Sequence, residues 1–341
     1  MLIRLRSIRS ARWHWGLLAV FASLAGAMDV AIAQPTHSQA ASIVLLPRVR
    51  ATVTHDTFVE LANVSGGQTI AKCFYVNQTE ADPRATTAFI LTLTRNQPIG
   101  WRVSAGRSAG GDETDPGAIP AMAAFDGELI CVELDVTHAP VSGNHLIAHA
   151  TIAARDSGDI AKYSGIGLLG LDTNDADGNL CLGGGDCSFG AEYEGCPAAW
   201  QLDFLTEGSE SPHAGSGSTV HTELTVTTCS PNLANGTALS STVQFLVYNE
   251  YAQRFSTSAS VPGWKNARLC EIAGGNCATS IFSHSVLSTT GGRARIAPAG
   301  SAAGIAIVAQ EIHASATVAA SAAANAHVQG TRSFPDLITL P

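Results

Sequence analysis

The chain has 341 residues, which suggests about two domains because single cores rarely grow past roughly 250–300 residues. Only 14% of it is charged, with 19 Lys and Arg against 28 Asp and Glu, so it has no basic stripe to neutralise phosphates; this argues against nucleic acid as a partner. Thr, Val, Ile, Ser and Gly are abundant and helix-favouring patterns are scarce, which favours strands joined by turns.

Residues 1–33 read as a signal peptide. Arg4, Arg6, Arg9 and Arg12 form a positive start, Trp15 to Met28 an apolar core, and Ala31-Ile32-Ala33 supplies small residues for cleavage before Gln34. An uncleaved anchor needs about 20 apolar residues. Cleavage removes four of the basic residues and Asp29, taking the net charge from −9 to −12 (15 basic against 27 acidic). No later segment is apolar enough to span a bilayer, so the expected location is secreted or periplasmic. Residues 34–45 are expected to form a flexible leader.

A first β-sandwich module is expected over 46–163. Its strands are read at Thr57–Val64, Thr69–Asn77, Ala88–Thr94, Trp101–Ala105, Glu128–Asp135 and His145–Ala153, bounded by SGG, NQP, DPG and SGN turns. A Cys/Gly/Asp-rich connector follows over 164–220. The second module, 221–341, has strands at Thr222–Cys229, Thr242–Asn249, Ser280–Leu287, Arg293–Pro298 and Gly304–Ile312, and a short one in the closing DLITLP. Ala314–Ala326 is alanine-rich but lacks an amphipathic stripe, and reads as a small-residue loop leading into a final strand. The runs TFVELANVSGG…KCFYVN and TELTVTTCSPN…QFLVYN share a strand, a polar turn and an aromatic strand ending in Asn, which suggests duplication of one module. The predicted class is all-β: two immunoglobulin-like sandwiches joined by the connector.

Eight cysteines in an exported chain suggest four disulfides. Cys73 and Cys131 are each centred in a strand-like run. Cys181 with Cys187, and Cys270 with Cys277, are near neighbours across Gly-rich turns. Cys196 then remains for Cys229, stapling the connector to the second module, with the run 207–219 as a disordered surface loop between them. No C-x-x-C pair occurs, which argues against zinc.

Candidate chemistry is sparse. Asp175, Asp177 and Asn179 alternate as calcium ligands do, and Asp186 falls where a twelfth-position acid would sit, but Leu180 occupies the sixth position, where such a loop needs Gly. A solvated Asx turn is the simpler reading of this stretch, which also holds Asp172 and Asn174. His138, His145 and His149 do not suit one metal, because residues four apart on a strand are separated by about 13 Å. Trp101, Trp200 and Trp264 could serve as sugar-stacking platforms or as core plugs, and the core is the simpler place for them. No H-E-x-x-H occurs, so no enzyme is expected and no cofactor is required.

The runs VELANVSG…KCFYVN, GELICVELD…GNHLIAHATI, KYSGIGLLG, QFLVYNEYAQRFSTS and NAHVQGTRSFPDLITLP resemble those of a group of exported bacterial all-β proteins with no established activity. The likeness covers nearly all of the chain after residue 33. It implies an extracytoplasmic architecture and carries over no catalytic or ligand residues. Where that group has a cysteine after FSTS-x-x-V, this chain has Pro262, so the resemblance does not support the Cys270–Cys277 pair. The expected function is that of an exported, non-enzymatic structural or interaction protein with a macromolecular partner outside the cytoplasm. The alternatives are a calcium- or carbohydrate-binding module and, after these, a secreted hydrolase without a recognisable motif.

Overall fold

A computed structural model describes residues 39–79, 84–157, 159–172, 174–184, 190–209, 218–314, 319–324, 326–332 and 334–341. The expected signal peptide, and the leader up to residue 38, lie outside the described residues. Of the described residues 57% are strand and 4% helix, and among them no helix is long and apolar enough to cross a membrane.

A large nine-stranded sheet takes every strand between residues 43 and 168. Its order is Thr86–Leu93, Thr69–Asn77, Phe125–Leu134, Ile43–Ala51, His55–Asn63, Leu146–Ala154, Ile160–Ser164, with Pro98–Arg102 paired to His55–Asn63 and Ile166–Leu168 to Ile43–Ala51. The strands after it form three further sheets. An outer sheet runs Arg254–Val261, Ser241–Asn249, Gly291–Pro298, Pro197–Leu205, His327–Thr331; an inner sheet runs Trp264–Arg268, Thr219–Thr228, Ile305–Ala314, Ala319–Ala324. A small sheet pairs Asn179–Leu182 with Asp336–Thr339 and adds Pro231–Asn232 and Thr237–Ala238.

Leu146–Ala154 alternates buried and half-buried positions, as a strand with one covered face must. Ile43–Ala51 and Phe125–Leu134 instead are buried at almost every position, so both their faces are covered. Val44, Leu46, Leu129 and Cys131 pack with Tyr75 and Trp101. Ile43, Leu45, Ile130 and Val132 share a cluster with Leu224, Val226, Phe245 and Ile305 from the strands beyond the connector. Residues 34–341 accordingly form one compact unit.

Three sequence expectations are corrected. Residues 43–45, expected to end a leader, open a central strand. Pro47 and Arg48 interrupt its apolar run, but the pairing register shifts between Leu46 and Val49, so the missing N–H of proline falls at a bulge. Ser280–Leu287, read as a strand, contains a helical turn, His284–Leu287; Phe282 stacks edge-on against Phe204 and Phe245, and Leu287 is buried, so its apolar residues serve the core without sheet pairing. Ala319–Ala324, read as loop, is a strand paired to Ile305–Ala314. Its small residues let it lie against Ile160–Ser164, where Ser321 donates from N and Oγ to Asp159. The 164–220 stretch likewise contributes to four sheets, through Ile166–Leu168, Asn179–Leu182, Pro197–Leu205 and the start of Thr219–Thr228; residues 210–217 of the expected loop lie outside the described residues.

Disulfides join Cys73 to Cys131, Cys196 to Cys229 and Cys270 to Cys277. Cys73 and Cys131 sit directly opposite on neighbouring strands of the large sheet. The Cys196–Cys229 bond links the approach to an outer-sheet strand with the end of an inner-sheet strand. Cys181 is also disulfide-bonded; its expected partner Cys187 lies outside the described residues.

Beside the apolar cluster, the contact between large and inner sheets has a polar part. Arg48 is bound to Glu223, Thr225 and Asn266, Trp264 donates Nε1 to Pro47 O at 2.9 Å, and Thr227 donates to Glu128. Glu128 is fully buried, and desolvation raises its carboxyl from 4.5 to about 7 despite Thr227 and the nearby Arg84. With the folded value above the unfolded one, the linked stability is complete below pH 4.5 and is lost as pH rises through 7. Glu128→Gln is therefore expected to change urea-unfolding stability little at pH 5 and to raise it by about 3 kcal/mol at pH 9. Equal effects at the two values would show that Glu128 is ionised in the folded protein at both.

Candidate functional site

The outer sheet turns one face inward, with Trp200, Leu202, Phe204, Phe245, Val247, Ala294 and Ile296 in the core. The alternation of its strands puts the intervening residues on the other face, in cross-strand rows. Asp203, Arg293, Tyr248 and Arg254 form one row, and His327, Gln201, Arg295, Leu246 and Ser256 the next. Arg293 clamps Asp203 with two bonds, Nε to Oδ1 at 2.6 Å and Nη2 to Oδ2 at 3.0 Å, and this pairing holds the Asp203 carboxyl below its ordinary range. Arg295 Nε and Gln201 Nε2 both donate to Gln329 Oε1 at 3.0 Å.

At the end of these rows lies an open groove of about 750 Å³, lined by Asp203, Leu205, Tyr248, Glu250, Gly291 and Arg293. Gly291 and Gly292 line it side by side. A Cβ on Gly292 would come within 2.6 Å of the Phe204 ring beneath it, so that position accepts no side chain without repacking the ring. Gly291 N donates to Glu250 Oε1 at 2.8 Å. The hairpin carrying Glu250 and Tyr251 is shaped by buried Asn249, whose Oδ1 accepts from the N–H groups of Tyr251 and Gln253 and whose Nδ2 reaches Leu287 O. Tyr251 is 73% exposed. The run FLVYNEYAQRF carries this feature in sequence, but only the register shows that Tyr248 shares a face with Asp203 and Arg293.

The sequence-derived candidates lie elsewhere. Asp175 Oδ1 accepts from Asp177 N and Asp177 Oδ1 from Asn179 N, at 3.2 and 2.6 Å, in successive Asx turns. Asn179 Oδ1 is 3.4 Å from Thr339 Oγ1, and Asp186 lies outside the described residues. The stretch is tethered by Glu192, which accepts from Asp175 N and Cys181 N. Trp101 and Trp200 are buried, donating to Tyr75 OH and Ile305 O at 2.6 and 2.9 Å, and Trp264 is tied to the sheet contact. Trp101 and Trp200 are thus core residues, and Trp264 is half-buried.

His138 is an exposed turn residue with φ 67° and His149 sits mid-strand opposite Glu60. His145 Nδ1 lies 2.6 Å from Glu133 Oε1, and Ser42 Oγ lies 3.5 Å from the other oxygen of the same carboxylate. Serine, acid and histidine thus converge, but both partners face the acid. The serine–histidine contact that would activate a nucleophile is not among their bonds. Among the described residues one group brings three potential metal-ligand atoms together, Glu207, Cys270 and Cys277; its two sulfurs are bonded to each other and offer no thiolate.

No protein-family model matches the chain, and no curated relative does. Among solved structures it is similar to Thermotoga maritima 1070, at 7% identity and TM-score 0.27 over 40% of this chain and 98% of that one. It is also similar to the viral chemokine binding protein R17 encoded by rodent gammaherpesvirus Peru, at 9% identity and TM-score 0.18 over 84% and 86%. Similarity at this level carries no argument about fold or function.

Proposed function

We propose that the chain is an exported, non-enzymatic interaction protein that presents the exposed face of its outer sheet to a macromolecular partner outside the cytoplasm. The observation that carries this reading is the face itself: Tyr248, Arg254, Arg295 and the Asp203–Arg293 clamp stand in register beside a groove lined by two glycines. Aromatic and Arg side chains around a cavity are the residue types that anchor interfaces. The disulfides fit an oxidising compartment.

In this reading the two halves are immunoglobulin-like modules, 46–163 and 221–341, fused through 164–220. The partition of sheets at the connector supports it, as does buried Trp200 in one cluster with the inter-sheet bond Cys196–Cys229. The test is capture from envelope and culture-medium fractions by the disulfide-intact chain from Gln34. A partner retained by wild type and by Lys162→Ala, on the large sheet, but lost with Tyr248→Ala/Arg295→Glu, is expected. Equal retention by all three places the partner elsewhere.

A carbohydrate ligand is a second reading, favoured by the Tyr248 ring beside the planar groups of Asp203, Arg293, Gln201 and Gln329. A glycan-array signal that Tyr248→Ala abolishes is its expected result. Signals unchanged by the substitution remove the groove from that role.

A further inference from the structure

The outer sheet ends in the strand Arg254–Val261, which among the described residues pairs only with Ser241–Asn249, in unbroken register from Tyr248↔Arg254 to Ser241↔Val261. The phase of that ladder follows from its hairpin, where Asn249 N donates to Gln253 O. Hydrogen-bonded pairs then recur at 255, 257, 259 and 261, and the N–H and C=O groups of Ser256, Ser258 and Ser260 point away from the sheet. The far end agrees: Ala299 N donates to Thr242 O, so Thr242 turns its backbone from Ser260. Among the described residues no hydrogen bond uses these three outward backbone pairs.

Two other edge strands make outward contacts. Thr92, on the edge strand Thr86–Leu93, donates to Pro116 O, and Ser321, on Ala319–Ala324, donates to Asp159. Edge strands are ordinarily blunted by Lys, Pro, a bulge or an inward charge. Phe255–Val261 (FSTSASV) has none of these; Arg254 and Pro262 only flank it.

We infer that Arg254–Val261 is a dimerisation edge whose occupant is the same strand of a second copy of this chain, antiparallel about a two-fold axis at Ser258. Only an even-to-even register brings the free groups face to face, and this axis supplies it: Ser256 opposes Ser260 of the copy and Ser258 opposes itself, giving about six N–H···O bonds. Small hydroxymethyl side chains meet across the seam without crowding. Arg254 falls opposite Pro262, which ends the pairing because it has no N–H. The two Arg254 side chains lie about 27 Å apart along the strand, well beyond the screening length of about 8–10 Å, so no like charges meet. The outer sheet would then run continuously through both copies, with the two grooves on one surface.

Sedimentation equilibrium of the disulfide-intact chain from Gln34 tests this. Twice the chain mass is expected for wild type at high concentration. Ser258→Lys opposes two ammonium groups at the axis, and Ser258→Pro removes an outward N–H that the fold itself does not use. Each is expected to raise the dimer Kd by about 100-fold, a loss of two to three net hydrogen bonds, with circular dichroism and thermal midpoint close to wild type. A wild type that stays monomeric at all concentrations overturns the inference, and so does a dimer that survives both substitutions with the fold intact. Addition of an extended peptide to a monomeric wild type also overturns it, in favour of a different strand at this edge.

Discussion

Arg48→Met is expected to cost about 3–5 kcal/mol in urea unfolding, among the largest effects of any single substitution in the chain. Arg48 is 2% exposed, and its Nη1 lies 3.0 Å from Glu223 Oε2 and 3.2 Å from Thr225 Oγ1 while also bonding Asn266. Its own backbone is held at both ends, the N–H donating to Tyr163 OH and the carbonyl oxygen accepting from the same hydroxyl. Methionine fills the stem's volume and leaves Glu223, Thr225 and Asn266 facing a place with no cation. The cost is therefore that of stranding the acid, and Arg48→Met/Glu223→Leu is expected to recover most of it. A single-variant loss under about 1 kcal/mol would mean that water reaches Glu223 and that the polar contact contributes little to joining the sheets.

Removal of the large-sheet disulfide, as Cys73→Ala/Cys131→Ala, is expected to cost about 4 kcal/mol, because the bond closes a separation of 58 residues. The same operation on Cys270 and Cys277, seven residues apart, is expected to cost about 2 kcal/mol. The difference arises in the unfolded chain, whose freedom the longer loop restricts more. Paired melting curves of the two double variants read it, and equal losses would show that local packing, rather than loop closure, sets the value of both bonds.

Much of the strand content was legible locally. Thr69–Asn77 has the observed bounds as read, and Thr57–Val64, Thr242–Asn249 and Gly304–Ile312 lie within two residues of the observed strands. Side-chain alternation and turn residues act over a few positions, so they are visible in one dimension. Cys73 and Cys131 could be matched because each sits at the middle of such a run. Local rules failed where a distant partner decided the outcome. Pro47 argues against a strand until Phe125–Leu134 is placed beside it and the bulge takes up the proline. Alanine propensity favours a helix at 319–324 until Ile305–Ala314 offers a ladder.

The candidate site was less legible than the fold. Tyr248, Asp203 and Arg293 come from three strands, and no spacing along the chain relates them; the groove they line exists because two hairpin-distant strands pair in one register. The acidic run at 175–186 stands out in sequence, yet its described carboxylates are spent on their own turns. Composition and local period thus settle that this chain makes strands and which residues each strand turns to either side. Which side meets another sheet, and which edge is left open, follows from pairings between residues as far apart as Arg48 and Glu223, whose closure entropy only the assembled core can offset.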